Sequence, residues 1–280
     1  MEILKGAKVS QQIKEQVQGM VASLNGHVPV AAIIRVGERP DDISYESSVK
    51  KKIAAFGMEA RSYVFPDDIP DEDFRKAFSA INQDEQIDGI LVLCPLPKQI
   101  DGTWYKQEMN PRKDLDGISP WNVAKVFSGE TNAIAPCTAE AVMEILHAYE
   151  IPIQGKQVVI VGRSMVVGRP VSMLFLKEHA TVTICHSKTE DLKAVCRKAD
   201  ILVAAIGRAG MLNADYVAED GVVIDVGINV DEEGNLCGDM IWEGLEQRAA
   251  AATPVPGGVG AVTTAILCRH LAEAALKQRK

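Results

Sequence analysis

The run Gln157 to Pro170, QVVIVGRSMVVGRP, limits what this chain can fold into more than any other stretch. Val158 to Val161 are consecutive apolar residues, the pattern of a strand buried on both faces, and Gly162 ends the run where a phosphate could meet the start of a helix. Three more apolar runs follow, Ala180 to His186, Asp200 to Ile206 and Gly221 to Ile228, separated by helical patterns such as Glu190 to Ala199. This cadence predicts a doubly wound parallel sheet of the nucleotide-binding kind. The glycines depart from G-x-G-x-x-G, because Gly162-Arg163-Ser164 is followed by Gly168. A strand, a glycine and a helix are also what any parallel sheet needs, so the motif leaves a purely architectural reading open.

The first half repeats the alternation. Val9 to Leu24 has helical spacing, and Val28 to Val36 predicts a strand. Asp41, Asp42 and Ser44 precede Tyr45 to Phe56, a helix with a capping group at its start and Gly57 at its end. Glu59 to Phe65 predicts a second strand, Asp71 to Asn82 a helix, and Gly89 to Leu93 a third strand. Thr138 to Tyr149 is a helix bridging to the second sheet, and Thr263 to Lys280 is an apolar-periodic helix able to pack on either half. The fold class expected is therefore α/β, with two α/β domains, the second Rossmann-like. Three loops have compositions unusual for connectors: Pro95-Leu96-Pro97, Lys113 to Gly117, and Thr253 to Gly260. All three are expected beyond strand carboxyl ends or at a domain junction, where ligands bind in such folds.

The chain's 280 residues leave room for two cores, and its net charge of −8 offers no basic footprint for nucleic acid. The six cysteines show no C-x-x-C spacing and read as reduced core residues. No uninterrupted apolar run reaches membrane-span length and the start lacks a signal-peptide core, so the expectation is a cytoplasmic protein.

Eight segments, in order, resemble the methylenetetrahydrofolate dehydrogenase/cyclohydrolase family: VGERP with Tyr45, PLP at 95–97, KDLDG at 113–117, PCT at 136–138, GRSMVVGRP at 162–170, ATVTICHSKT at 180–189, VIDVGIN at 223–229 and TPVPGGVG at 253–260. The resemblance implies a folate-binding catalytic domain from residues 1–137 plus 264–280 and an NADP-binding domain from 138–263, flanking a cleft. It also implies tetrahydrofolate derivatives as substrates and a homodimer. The implied reaction moves a hydride from the methylene bridge of the folate to a nicotinamide, which asks mainly for placement of two rings.

Tyr45 matches the family tyrosine lying against the folate, and Asp116 the aspartate whose carboxylate accepts hydrogen bonds from the pterin. Pro256, Gly257 and Gly258 belong to the run that lets backbone approach the folate. Gly162, Arg163, Ser164, Gly168, His186, Ser187 and Ile228 match cofactor-binding positions. A NAD site normally carries an acid about 20 residues past the glycines. Here that place reads His186-Ser187-Lys188, which with Arg163 favours the 2′-phosphate of NADP.

The sequence departs from the family at the second activity, hydrolysis of the methenyl product to the 10-formyl compound. Its proton-transfer lysine lies four residues after the tyrosine, where this chain has Val49, and Gly57 fixes the register. The glutamine that partners this lysine is replaced by Leu93. Ala139 and Ala261-Val262 stand where the family usually has Pro and Pro-Met. Lys52 returns to the face of Tyr45 but starts about 10.5 Å along the helix, and its stem is expected to be extended and well solvated. Three readings follow: an NADP-dependent dehydrogenase with little or no cyclohydrolase activity, the bifunctional enzyme, or a non-catalytic dinucleotide-binding protein.

Overall fold

The structure, a computed structural model, describes residues 1–279; Lys280, the expected end of the last helix and of the first domain, lies outside them. The first half contains β1 (Glu2–Ile3), α1 (Gly6–Ala22), β2 (Val30–Val36), α2 (Pro40–Ala55), β3 (Glu59–Phe65), α3 (Asp71–Gln83) and β4 (Gly89–Val92). The short helices α4 (Gly102–Glu108) and α5 (Pro120–Ser128) lead to α6 (Cys137–Ala148). Then come β5 (Gln157–Val161), α7 (Gly168–Lys177), β6 (Thr181–Cys185), α8 (Leu192–Cys196), β7 (Ile201–Ala204) and β8 (Gly221–Asp225). A hairpin of β9 (Asn229–Val230) and β10 (Leu236–Cys237), then β11 (Ala249–Ala252) and α9 (Val259–Gln278), complete the chain.

Two compact units form. One is built on a parallel three-stranded sheet of order β3-β2-β4. β2 lies in its middle and is buried at every residue, as its apolar pattern, broken only by Arg35, requires. Phe74, Phe78 and Ile81 of α3 pack on this sheet, and Phe78 meets the Trp104 and Tyr105 rings edge-on at 5.9 Å each.

The other unit is a parallel six-stranded sheet of order β1-β11-β8-β7-β5-β6. Because β6 lies on one side of β5 and β7 on the other, the order reverses between β5 and β7, the place where such sheets bind ligands. The two α/β domains and the parallel sheets expected from the sequence are present.

The division differs from the expected one at its edges. Met1–Gln11, Val126–Thr131 and Ala135–Thr263 belong to the six-stranded unit, and Gln12–Lys125, Asn132–Ile134 and the chain from Thr264 onward to the other. The first residues are captured because β1 adds to β11 in parallel register, Glu2 opposite Ala251, and the Gly6 N–H donates to the Gly257 carbonyl at 2.9 Å. Among the described residues one helix, α9, is long and apolar enough to cross a membrane, although 61% of its apolar window is buried inside the protein, as in a core helix.

Candidate active site

Since all six strands are parallel, Gly162, His186, Ala205 and Val226 all emerge at one carboxyl edge of the larger sheet. The ladder continues into them: Gly162 N–H donates to the Cys185 carbonyl, Ala205 N–H to Val161, and Val226 N–H to Ala204, each at 2.9 Å. Gly162 has φ +138°, and a Cβ there would collide with the Ala205 carbonyl, so no side chain fits. A Cβ on Gly168, at the start of α7, would collide in turn with the Gly162 carbonyl. Between them the Ser164 hydroxyl accepts from the Val167 N–H at 3.1 Å, and Arg163 is exposed. A tight backbone turn opening onto a helix start is a cradle for phosphate, and these residues fit a dinucleotide.

At the end of β6 the chain folds into a short turn. The His186 N–H donates to Thr189 Oγ1 at 2.8 Å, and the Lys188 N–H to His186 Nδ1 at 3.1 Å. That second bond needs an unprotonated Nδ1, so the ring proton of neutral His186 sits on Nε2. Ser187 and Lys188 are exposed, and no acid occupies this turn.

Ile228, 65% exposed, lies just past β8 and shares an apolar cavity of about 280 Å³ with Pro254 to Ala261. The structure thus gathers Ile228, Pro256, Gly257 and Gly258 around one recess. Thr253 fixes this recess from below: its hydroxyl accepts from the Asp225 N–H at 2.8 Å.

In the three-stranded unit Tyr45 sits in the second turn of α2, which begins just beyond the carboxyl end of β2. It is 40% exposed, available to a ligand and not a core aromatic. The helix starts earlier than expected, at Pro40, with Arg39 extended before it and no side-chain cap. Proline suits a first helical position, and Asp41 and Asp42 consequently fall inside the first turn, where their charge favours the helix dipole.

Asp116 lies on a segment that runs parallel to β4 through a bridge between Ile90 and Asp114. The neighbouring Asp114 is buried and spends its carboxylate on the loop, accepting from the N–H groups of Ile118 at 3.1 Å and Ser119 at 2.8 Å and from the Asn122 amide at 2.9 Å. On the other side His270 of α9 bonds the Leu115 carbonyl through Nδ1 at 2.8 Å. Asp116 is left half-buried on a backbone braced from both flanks. The Tyr105 hydroxyl, 3.2 Å from Cys94 Sγ, is pushed well above the usual phenol range by burial, with Cys94, Asp114 and Asp116 adding to the shift.

Val49 is fully buried and Leu93 nearly so. Lys52 corrects its expectation. It is half-buried and not well solvated, and burial pushes its pKa down, with Lys14 adding to this and Cys268 opposing it. Its Nζ lies 5.7 Å from the Phe56 ring centre.

Sequence reasoning missed Asp114, Thr253, and the buried pair Asp225 and Asp239. An available signal was an acid inside an apolar run, as in VVIDVGI, since a carboxylate there is buried and must find donors.

The models of two domains match the chain: the catalytic domain of tetrahydrofolate dehydrogenase/cyclohydrolase over residues 4–116, and its NAD(P)-binding domain over 136–279. Bifunctional protein FolD of Alkaliphilus oremlandii is 47% identical over 274 residues, covering 97% of this chain and 96% of that protein. Among solved structures, bifunctional FolD methylenetetrahydrofolate dehydrogenase/cyclohydrolase from Campylobacter jejuni superposes with TM-score 0.96 at 36% identity, covering 99% of each chain. The Trypanosoma brucei methylenetetrahydrofolate dehydrogenase-cyclohydrolase, complexed with NADP and an inhibitor, gives TM-score 0.92 at 34% identity, covering 98% of this chain and 97% of its own.

Proposed function

The chain belongs to the tetrahydrofolate dehydrogenase/cyclohydrolase family, and from that premise we propose that it oxidises 5,10-methylenetetrahydrofolate to the 5,10-methenyl compound with NADP, and that it does not carry the hydrolytic second step. The nicotinamide ring supplies the hydride acceptor. The protein's task is placement of two rings and exclusion of water, for which no general base is required.

Asp116 holds the folate through the donors of its pterin ring, on a loop that Asp114 and His270 keep rigid. Tyr45 offers an exposed ring face to the same ligand. NADP is held along the larger sheet's carboxyl edge: its phosphates by the Gly162–Gly168 turn with Ser164, its 2′-phosphate by Arg163, His186 and Ser187, and its nicotinamide end at Ile228. The absence of an acid in the 186–189 turn favours NADP over NAD, since a carboxylate there would repel the 2′-phosphate. The family resemblance further supports a cytoplasmic homodimer.

The loss of hydrolysis rests on one observation. Val49 and Leu93, which occupy the family's lysine and glutamine positions, are both buried apolar side chains, so neither a proton-transfer group nor a stranded partner remains. Lys52 does not replace it, because its side chain leaves the helix seven residues beyond Tyr45, about 10.5 Å along the axis. The test is a spectrophotometric assay of both steps on purified protein, with NADP and NAD compared. Dehydrogenase turnover with NADP is expected, and its absence would refute the proposal.

A further inference from the structure

Two loops at the carboxyl edge of the larger sheet, 205–208 after β7 and 226–229 after β8, are tied together by a carboxylate that does not face solvent. Asp239 is fully buried. One of its oxygens accepts from the N–H groups of Ile206 at 2.6 Å and Gly207 at 3.1 Å. The other accepts from the Arg208 N–H and the Asn229 side-chain amide, both at 2.9 Å. Four donors occupy the group. The Asp239 N–H donates at 3.1 Å to Asp225, which also takes the N–H groups of Gly227 and Met240, each at 2.9 Å. These carboxylates fit only beside glycine, because a Cβ on Gly227 would collide with Asp239 and one on Gly238 with Asp225.

The sheet itself does not need this tie. β7 and β8 already pair from Ile201 opposite Val222 to Ala204 opposite Asp225, and the Asp239 bonds begin where that ladder stops. What they order is the backbone beyond the strands. Loops after β5 and β6 carry Arg163, His186 and Ser187 on one side of the reversal in strand order. The loops after β7 and β8 flank the other side and carry the exposed side chains of Arg208 and Ile228.

We infer that Asp239 is a positioning residue for the nicotinamide half of the dinucleotide, holding residues 206–208 and 228–229 in binding register without touching the cofactor. The inference rests on the NADP reading above. The test measures, on the full chain, dissociation constants for NADP and for 2′,5′-ADP, which has the adenine and 2′-phosphate half alone, with thermal unfolding on the same samples.

Asn229→Ala removes one of the four donors and frees the second loop. It is expected to weaken NADP about fivefold, roughly the worth of one hydrogen bond, and to leave 2′,5′-ADP within about twofold. Asp239→Asn turns an amide donor against N–H donors and should weaken NADP about tenfold or more with the same split between ligands. Equal weakening of both ligands, or unchanged NADP affinity in folded Asn229→Ala, would overturn the inference; that variant decides the matter alone if Asp239→Asn does not fold. Wild-type protein that binds neither ligand would instead overturn the NADP reading, and this inference with it.

Discussion

Each unit buries a carboxylate near the ligand-facing edge of its sheet, and the two are neutralised in opposite ways. In the three-stranded unit Glu46, next to Tyr45, meets Arg35 Nε at 2.7 Å and the Ser62 hydroxyl, which in turn lies 2.9 Å from Lys50 Nζ. Burial pushes its pKa up, but the Ser62 and Arg35 hydrogen bonds and the guanidinium charge together outweigh this and leave it below the usual value. In the six-stranded unit Asp225 has three N–H donors and, among the described residues, no cationic partner. Burial prevails there, helped by the neighbouring Asp239 charge, and its pKa is pushed up to about 6. Aimed N–H groups lower the cost of a buried carboxylate, whereas a guanidinium reverses it. The consequence is that the Glu46 site depends on the side chains of Ser62 and Arg35 and the Asp225 site on the shape of a loop.

The largest effect expected from breaking this contrast is on stability. Arg35→Leu strands Glu46 in the core and should cost about 3–5 kcal/mol, while Arg35→Leu with Glu46→Val should recover most of that loss. Urea unfolding of the single and double variants checks it. Equal destabilisation of the two would mean that the ion pair is not what Glu46 depends on.

Acid sharpens the comparison, with opposite signs in the two units. A lowered folded pKa gives Glu46 a contribution that is present above the ordinary carboxylate range and lost as pH falls through its folded value. Asp225, raised, does the reverse: its ionised form costs stability above about pH 6, and that cost fades as pH falls toward its ordinary value near 3.8. Relative to wild type, Asp225→Asn should therefore gain as pH rises from about 4 to 6, by up to a few kcal/mol at about 1.4 per pKa unit. Glu46→Gln should instead gain as pH falls below about 4.5. Unfolding free energies across that range read both slopes, and parallel slopes would remove the distinction.

A third carboxylate, Asp116, is half-buried where Glu46 and Asp225 are buried, which sets it apart from both. Asp116→Ala should weaken folate binding roughly tenfold to a hundredfold, the range for hydrogen bonds to a charged group. Near-normal folate affinity and turnover would show that it does not orient the pterin. Smallest is the effect at the edge of the larger sheet, where charge is exposed. The wild type should prefer NADP over NAD by at least about tenfold, roughly 1.4 kcal/mol, and Arg163→Ala should narrow that gap. Equal use of both cofactors by the wild type would contradict the argument from charge.

Much of the architecture could be read from the sequence because buried parallel strands announce themselves as apolar runs. Glu59 to Phe65 is a strand with the expected limits, and Gly221, Val158 and Gly89 all fall in the strands assigned to them. β11 escaped because Ala249–Ala252 carries no β-branched or aromatic residue, and it becomes a strand through pairing with β8 and β1. The Glu190–Ala199 helix shortened to Leu192–Cys196, since Asp191 adopts a left-handed conformation and caps it from there.

The glycine turn could be read from its place between an apolar run and a helix, whereas Tyr45 and Asp116 stood out through the family resemblance alone. Asp225 was signalled only by its place in an apolar run, and Asp239 not at all, because its partners lie as far as 33 residues away and leave no local spacing to recognise. Lys52 shows the same limit: its helical angle could be counted from the sequence, but its partial burial, which depends on what packs against α2, could not.

Whether an apolar pair at 49 and 93 leaves the enzyme with hydride transfer alone is tested most directly by methenyltetrahydrofolate hydrolysis by purified protein, followed beside dehydrogenase activity. The expected result is dehydrogenase turnover with hydrolysis no faster than without enzyme, unchanged in Lys52→Ala and raised in the Val49→Lys, Leu93→Gln double variant. Brisk hydrolysis by the wild type that disappears in Lys52→Ala would contradict it, and would make Lys52 the proton-transfer group of a bifunctional enzyme.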